Sequence, residues 1–403
     1  MFQLHGAAKL VRTSFRPIAA LVTFFVASAM LGCSHPAPRV SNTWDRKAAA
    51  TYLDEREGWW MGWVGSARDH GTFCVSCHTA LPYALARPAL RPALAEQGPS
   101  PNERSLVENV SKRVRLWKET APYYSDEGYD GKTAESRGTE AVLNALILAD
   151  FDAQRGQLSD DTRTAFDNMW ALQQKEGNGN GSWLWLQFDQ EPWEAKDSVY
   201  YGACLAAIAV GSAPANYASS PAIQSNLKLL REYLNRESAS QSTINRVFLL
   251  WASTRLPGLL DSEQQRAIVK EVLSKQQADG GWRLASITWS WNGWSTRSLI
   301  KMWFREDGTP LEGKSDGVAT GLITFVLQEA GVPRNDAQLQ RGLSWLMSNQ
   351  TAQGFWPASS VNKRKHLSSN TGRFMSDAGT AFAVLALTEK QRTATPGLAR
   401  AGN

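Results

Sequence analysis

One helical pattern returns along this chain at intervals near 60 residues, and few folds can accommodate it. Each copy opens on a small or acidic residue, passes a Thr or Tyr, and continues as an almost unbroken apolar run. Clear copies run Ser136–Leu148 with Thr139, Asp197–Ile208 with Tyr201, Ser315–Leu327 with Thr320 and Ser376–Leu387 with Thr380. Ser242–Trp251 with Thr243 is weaker, and Cys77-His78-Thr79-Ala80-Leu81 fits the same template. The steps from Thr79 are 60, 62, 42, 77 and 60 residues. Residues apolar nearly all round predict helices buried on every side. Ser and Asp at the starts read as N-caps.

Amphipathic segments alternate with these runs, at about 46–57, 104–118, 160–175, 221–236, 262–277 and 336–350. Six inner and six outer helices, with no strand signal, predict an all-α closed ring of helix pairs. The chain has 43% hydrophobic residues and four Cys in 403, which excludes a disordered chain and a disulfide scaffold. Net charge is +5, of which Lys9, Arg12 and Arg16 supply three, leaving +2 on the body. That balance gives no footprint for nucleic acid.

The outer segments end in a shared signature. Gln350 to Gly354 and Trp356, and Gln276 to Gly280 and Trp282, have the same Gln-x3-Gly-x-Trp spacing. Gln174 to Gly181 and Trp183 is stretched, and Tyr52-Leu53 to Gly58-Trp59-Trp60 is partial. Gly would close each helix, and the Gln amide would bond orphan carbonyls. These segments resemble the QW repeats of squalene-hopene and oxidosqualene cyclases, within the terpenoid-cyclase and prenyltransferase superfamily. The resemblance implies a single α/α toroid over 46–390, with inner helices around a central cavity that takes an apolar, isoprenoid-like molecule. The Asp-rich acid motif of those cyclases is missing. Asp197, Asp316 and Asp377, at inner-helix starts, are the remaining acid candidates, with N-capping as their plainer reading. Cys204 lacks the Asp and His partners of the zinc-dependent relatives and reads as a buried thiol.

The N-terminus reads as an address. Three cations precede a 14-residue apolar run, Ile18–Leu31, ending in Met30-Leu31-Gly32-Cys33. This resembles a bacterial lipobox, with 1–32 as signal peptide, Cys33 as the lipidated residue and 33–45 as a tether. A signal cut nearby, leaving Cys33 as a free thiol, is the alternative. The body would then lie in the periplasm, held to the outer membrane by its lipid alone. Residues 391–403 read as a disordered tail.

Cys74-Val75-Ser76-Cys77-His78 has the spacing of a c-type haem attachment motif. Two thioether links and a proximal imidazole would hold haem c, with His70 or Met61 as a sixth ligand or none. A disulfide and a thioredoxin-like pair are the alternatives. Aromatic clusters at Trp183, Trp185 and Trp193, and at Trp289–Phe304, line a cavity or simply anchor loops. The basic run Lys363–His366 reads as a solvated loop. Three functions follow: a haem redox protein with a periplasmic redox partner, a haem-free terpenoid cyclase, or a cell-surface binding scaffold. The first is the leading expectation.

Overall fold

The computed structural model describes residues 43–127, 130–289 and 303–389. The described chain is mostly helical. Partly buried elements are α1 (Arg46–Gly62), α3 (Pro101–Arg115), α5 (Asp160–Ala171), α7 (Gln224–Glu237), α9 (Ser262–Ser274) and α12 (Ala337–Ser348). Buried elements are α2 (Ala80–Ala86), α4 (Lys132–Ala153), α6 (Ser198–Ser212), α8 (Thr243–Arg255), α11 (Gly317–Glu329) and α13 (Phe374–Thr388). A five-residue α10 (Leu284–Thr288) follows α9, and the short strands β1 (Ala67–Arg68) and β2 (Thr72–Phe73) pair antiparallel before α2.

The buried helices touch in sequence. α4 packs on α6, α6 on α8, α8 on α11, α11 on α13 and α13 on α2, and α2 returns to α4. Every residue of α11 is buried, as its all-round apolar sequence predicts. Phe248 of α8 meets Phe382 of α13 with ring centroids 6.3 Å apart, although these helices are not neighbours in that series. Side chains therefore cross between non-adjacent helices, where the resemblance implied an open central cavity.

The Gln-Gly-Trp signature has a physical explanation at three seams. Gln350 Nε2 donates to Gly354 O at 3.0 Å and to Asp45 O at 2.9 Å. Gln276 Nε2 donates to Gly280 O at 2.8 Å and Gln338 O at 2.7 Å. In the stretched copy the work falls to Gln173, which donates to Gly181 O and Asn226 O, both at 3.0 Å, rather than to Gln174. Each amide ties the end of one partly buried helix to the start of another: α5 to α7, α9 to α12 and α12 to α1. Each Trp indole donates back to its own helix: Trp356 to Leu346 O, Trp282 to Val272 O and Trp183 to Met169 O. The recurrent Thr is explained too. Thr139, Thr320 and Thr380 hydroxyls accept from the backbone N–H of Leu186, Trp282 and Trp356.

Two expectations about helix starts change. Helix α4 begins at Lys132, so Ser136 lies inside it. Helix α13 begins at Phe374, which places Asp377 in its first turn instead of at its cap. Asp316 does cap α11, accepting from Ala319 N at 3.0 Å. The segments 1–42 and 390–403, with Cys33, lie outside the described residues. None of the described helices is long and apolar enough to cross a membrane.

Candidate functional site

The chain leaves α1 through the β1–β2 hairpin and enters α2 at Cys77-His78-Thr79. Trp60 of α1 fixes this entry by donating its indole N–H to Cys74 O at 2.8 Å. The His78 ring stacks on Phe374 at 3.7 Å between centroids and meets the Trp60 ring edge-on at 5.1 Å. The His78 Nδ1 lies 2.8 Å from the Thr79 hydroxyl. That hydroxyl donates to Asp377 Oδ2 at 2.8 Å. Asp377 also accepts from Arg56 through both oxygens, at 2.7 and 2.9 Å, and from the Tyr52 hydroxyl at 2.7 Å.

Beside His78 lies a cavity of about 50 Å³ bordered by Cys77, His78, Glu191, Trp193, Glu194, Asn362, Lys365 and Phe374, among others. Its far wall is the loop before α6. Asn362 stitches that loop to the 358–366 segment, donating to Glu191 O at 2.9 Å and accepting from Glu191 N at 3.1 Å. Trp185 holds the loop from below, donating to Trp193 O at 2.8 Å. Burial raises the Glu194 carboxyl to a pKa of about 7, against the opposing pull of Lys132 and Lys365. Burial and the cations Arg56 and Lys365 lower His78 to about 3, so the imidazole is neutral at working pH. Burial also keeps both thiols protonated, with Cys74 pushed up to about 11.

The haem expectation is corrected here. Attachment needs both thiols and the imidazole open to one macrocycle-sized space. Cys77 and His78 border the cavity, but Cys74 does not, and the Cys side chains belong to the core cluster. At about 50 Å³ the cavity has no room for a macrocycle, and Phe374 covers one face of the His78 ring. Cys74, Cys77 and His78 therefore do not fit haem c. No cluster of three His, Cys, Asp or Glu placed to hold a metal occurs among the described residues. His70 and Met61 do not border the cavity either. His70 is exposed on the hairpin, 3.1 Å from Asp69 Oδ2.

The terpenoid-cyclase reading is corrected with it, since its three acids are spoken for. Asp377 is locked against Arg56. Asp197 accepts from Ser242 and Asn245, both at 3.2 Å. Asp316, raised to about 6 by burial, borders a separate cavity of about 320 Å³, but its oxygens hold the N–H groups of Leu284 and Ala319. Cys204 is fully buried, as expected. Lys363, Arg364 and His366 are solvated, whereas Lys365 reaches the cavity rim. Of the aromatic clusters, Trp183 and Trp185 are anchors in the core and Trp193 borders the cavity. Most of the other cluster, 290–302, lies outside the described residues.

Sequence reasoning missed Glu194. Its one signal was the neighbouring Trp193, already singled out as a loop aromatic.

Comparison with known proteins gives no family. No family model matches the chain and no curated protein matches it. Solved structures of a glycosidase overlap it at 12% identity: an alanine variant (TM-score 0.46), another alanine variant in complex with glucose (0.44) and a phenylalanine-to-tyrosine variant (0.45). Each covers 85% of this chain and 97% of its own. A superposition this loose carries neither fold nor activity over to this chain.

Proposed function

We propose that residues 46–390 form an α/α toroid of six inner and six outer helices, and that the chain is a glycoside hydrolase with Glu194 as general acid. The observation that carries the reading is the placement of two carboxylates, Glu194 and Glu191, on one cavity, with burial raising Glu194 to a pKa of about 7. A carboxylic acid raised in this way is the usual proton donor to a leaving-group oxygen. Supporting it are the flat rings of Trp193 and Phe374, and the amide of Gln190. Flat rings suit the C–H faces of a sugar, and amides its hydroxyls. In the reaction, Glu194 gives its proton to the glycosidic oxygen as the C–O bond breaks and the electron pair leaves with that oxygen. Water adds to the sugar carbon and gives its proton to Glu191, and exchange with solvent resets both groups.

A lipid on Cys33 and a periplasmic location go with this reading, since polysaccharides are met outside the cytoplasm. Ile18–Cys33 is the sequence that supports them. The test is to incubate the mature protein with oligosaccharide and aryl-glycoside panels and measure new reducing ends, with Glu194→Gln as control. Turnover by the wild type that is lost in the variant is expected. No turnover on any member, or equal turnover in both proteins, would remove the reading.

A further inference from the structure

We infer that Thr79 and Asp377 are positioning residues that fix the tautomer of His78, so that its Nε2 is held as a hydrogen-bond acceptor at the cavity. Asp377 Oδ1 accepts from Arg56 Nε and the Tyr52 hydroxyl, and Oδ2 from Arg56 Nη2 and the Thr79 hydroxyl. Four donors converge on two oxygens, one of them a guanidinium making a bidentate pair, and this is the pattern of an ionised carboxylate that carries no proton of its own.

A Thr hydroxyl has a single proton, and Thr79 spends it on Asp377. Toward His78 it can only accept. The Nδ1 of His78, 2.8 Å away, must therefore carry the ring proton. In a neutral imidazole the other nitrogen is then an acceptor. His78 is kept neutral by burial and by Arg56 and Lys365. Further contacts hold the relay still. Arg56 donates to Asn370 Oδ1 and O, both at 2.9 Å, and the His78 ring is fixed between Phe374 and Trp60.

The consequence concerns ligand chemistry and rests on the hydrolase reading of the cavity. A group meeting His78 must bring a donor, such as a hydroxyl, and an ether or carbonyl oxygen in its place leaves two acceptors facing each other. The tautomer itself does not depend on that reading.

The experiment is long-range ¹H–¹⁵N correlation on the mature chain labelled at histidine nitrogens, with His78 assigned by its loss in His78→Gln. The wild type should show Nδ1 as the protonated nitrogen and Nε2 as the bare one. Thr79→Val should release the ring into a mixture or the opposite tautomer, and Thr79→Ser should restore the wild-type pattern. Protonated Nε2 in the wild type, or an unchanged tautomer in Thr79→Val, would overturn the relay. The wild-type spectrum alone suffices if the Val variant fails to fold. It needs no substrate, so failure of the relay and failure of the hydrolase reading are separate results.

Discussion

Gln350 holds Asp45 by both ends of its peptide environment: its Oε1 accepts from Asp45 N at 2.7 Å and its Nε2 donates to Asp45 O at 2.9 Å. The two residues stand 305 apart in sequence, so this one amide joins the end of α12 to the start of α1. Gln350→Ala removes three hydrogen bonds at that seam and should cost about 1–3 kcal/mol. Chemical denaturation of the two proteins reads the difference directly. An unchanged midpoint would mean the seam is held by packing alone.

Gly354 follows in the same motif at φ +88°, where an added Cβ would fall 2.2 Å from the Ala48 carbonyl carbon. No flexible side chain is available to yield there. Strain at positive φ and overpacking against backbone together predict a loss of roughly 2–5 kcal/mol for Gly354→Ala. Gly62→Ala, with nothing near its Cβ position, is the matched control and should be close to neutral. Similar melting temperatures for the two variants would refute the close-approach explanation.

Glu57 is buried with neither carboxyl oxygen hydrogen-bonded, and burial, helped by Asp377 and Asp54, raises its pKa from 4.5 to about 8. The folded state thus binds a proton that the unfolded chain has already released. Stability from this group is full below about pH 4.5 and is lost as pH rises to about 8, by up to roughly 1.4 kcal/mol per unit. Glu57→Gln keeps the shape and removes the titration. Its stability relative to wild type should grow between pH 5 and 8. A constant difference over that range would show that Glu57 does not titrate as described.

Glu194 sets the alkaline limb of the pH profile of turnover. The acid must be protonated to act, so activity should fall tenfold per unit above its pKa of about 7, while any loss on the acid side belongs to the base Glu191. Lys365→Met removes a nearby cation that opposes the raised pKa, and should move the falling limb upward. A limb that moves downward, or not at all, would assign it to another group.

The ring was more legible than the site. Thr139, Thr320 and Thr380 stand out in sequence because each accepts a backbone N–H from a loop, the one ahead of its own helix for Thr320 and Thr380 and the one ahead of α6 for Thr139. A repeated task leaves a repeated letter. Asp377 was read as a cap because it follows Ser376 at an apolar run, but the helix starts three residues earlier, which turns the carboxylate toward Arg56, 321 positions away. Cys74, Cys77 and His78 show the same limit from the other side. Their spacing is local, while the ring that stacks on His78 comes from Phe374, in the final helix. Glu194 stands in a loop with no period, and its meaning comes from burial beside residues more than a hundred positions before it.

The decisive measurement compares Glu194→Gln with the wild type on glycosides that differ only in leaving group. A poor alkyl leaving group needs its oxygen protonated, whereas a dinitrophenyl group departs without help. The account predicts a fall of about 10²–10⁴-fold on the alkyl glycoside and little change on the dinitrophenyl one. An equal loss on both, or no loss on either, would contradict Glu194 as the acid.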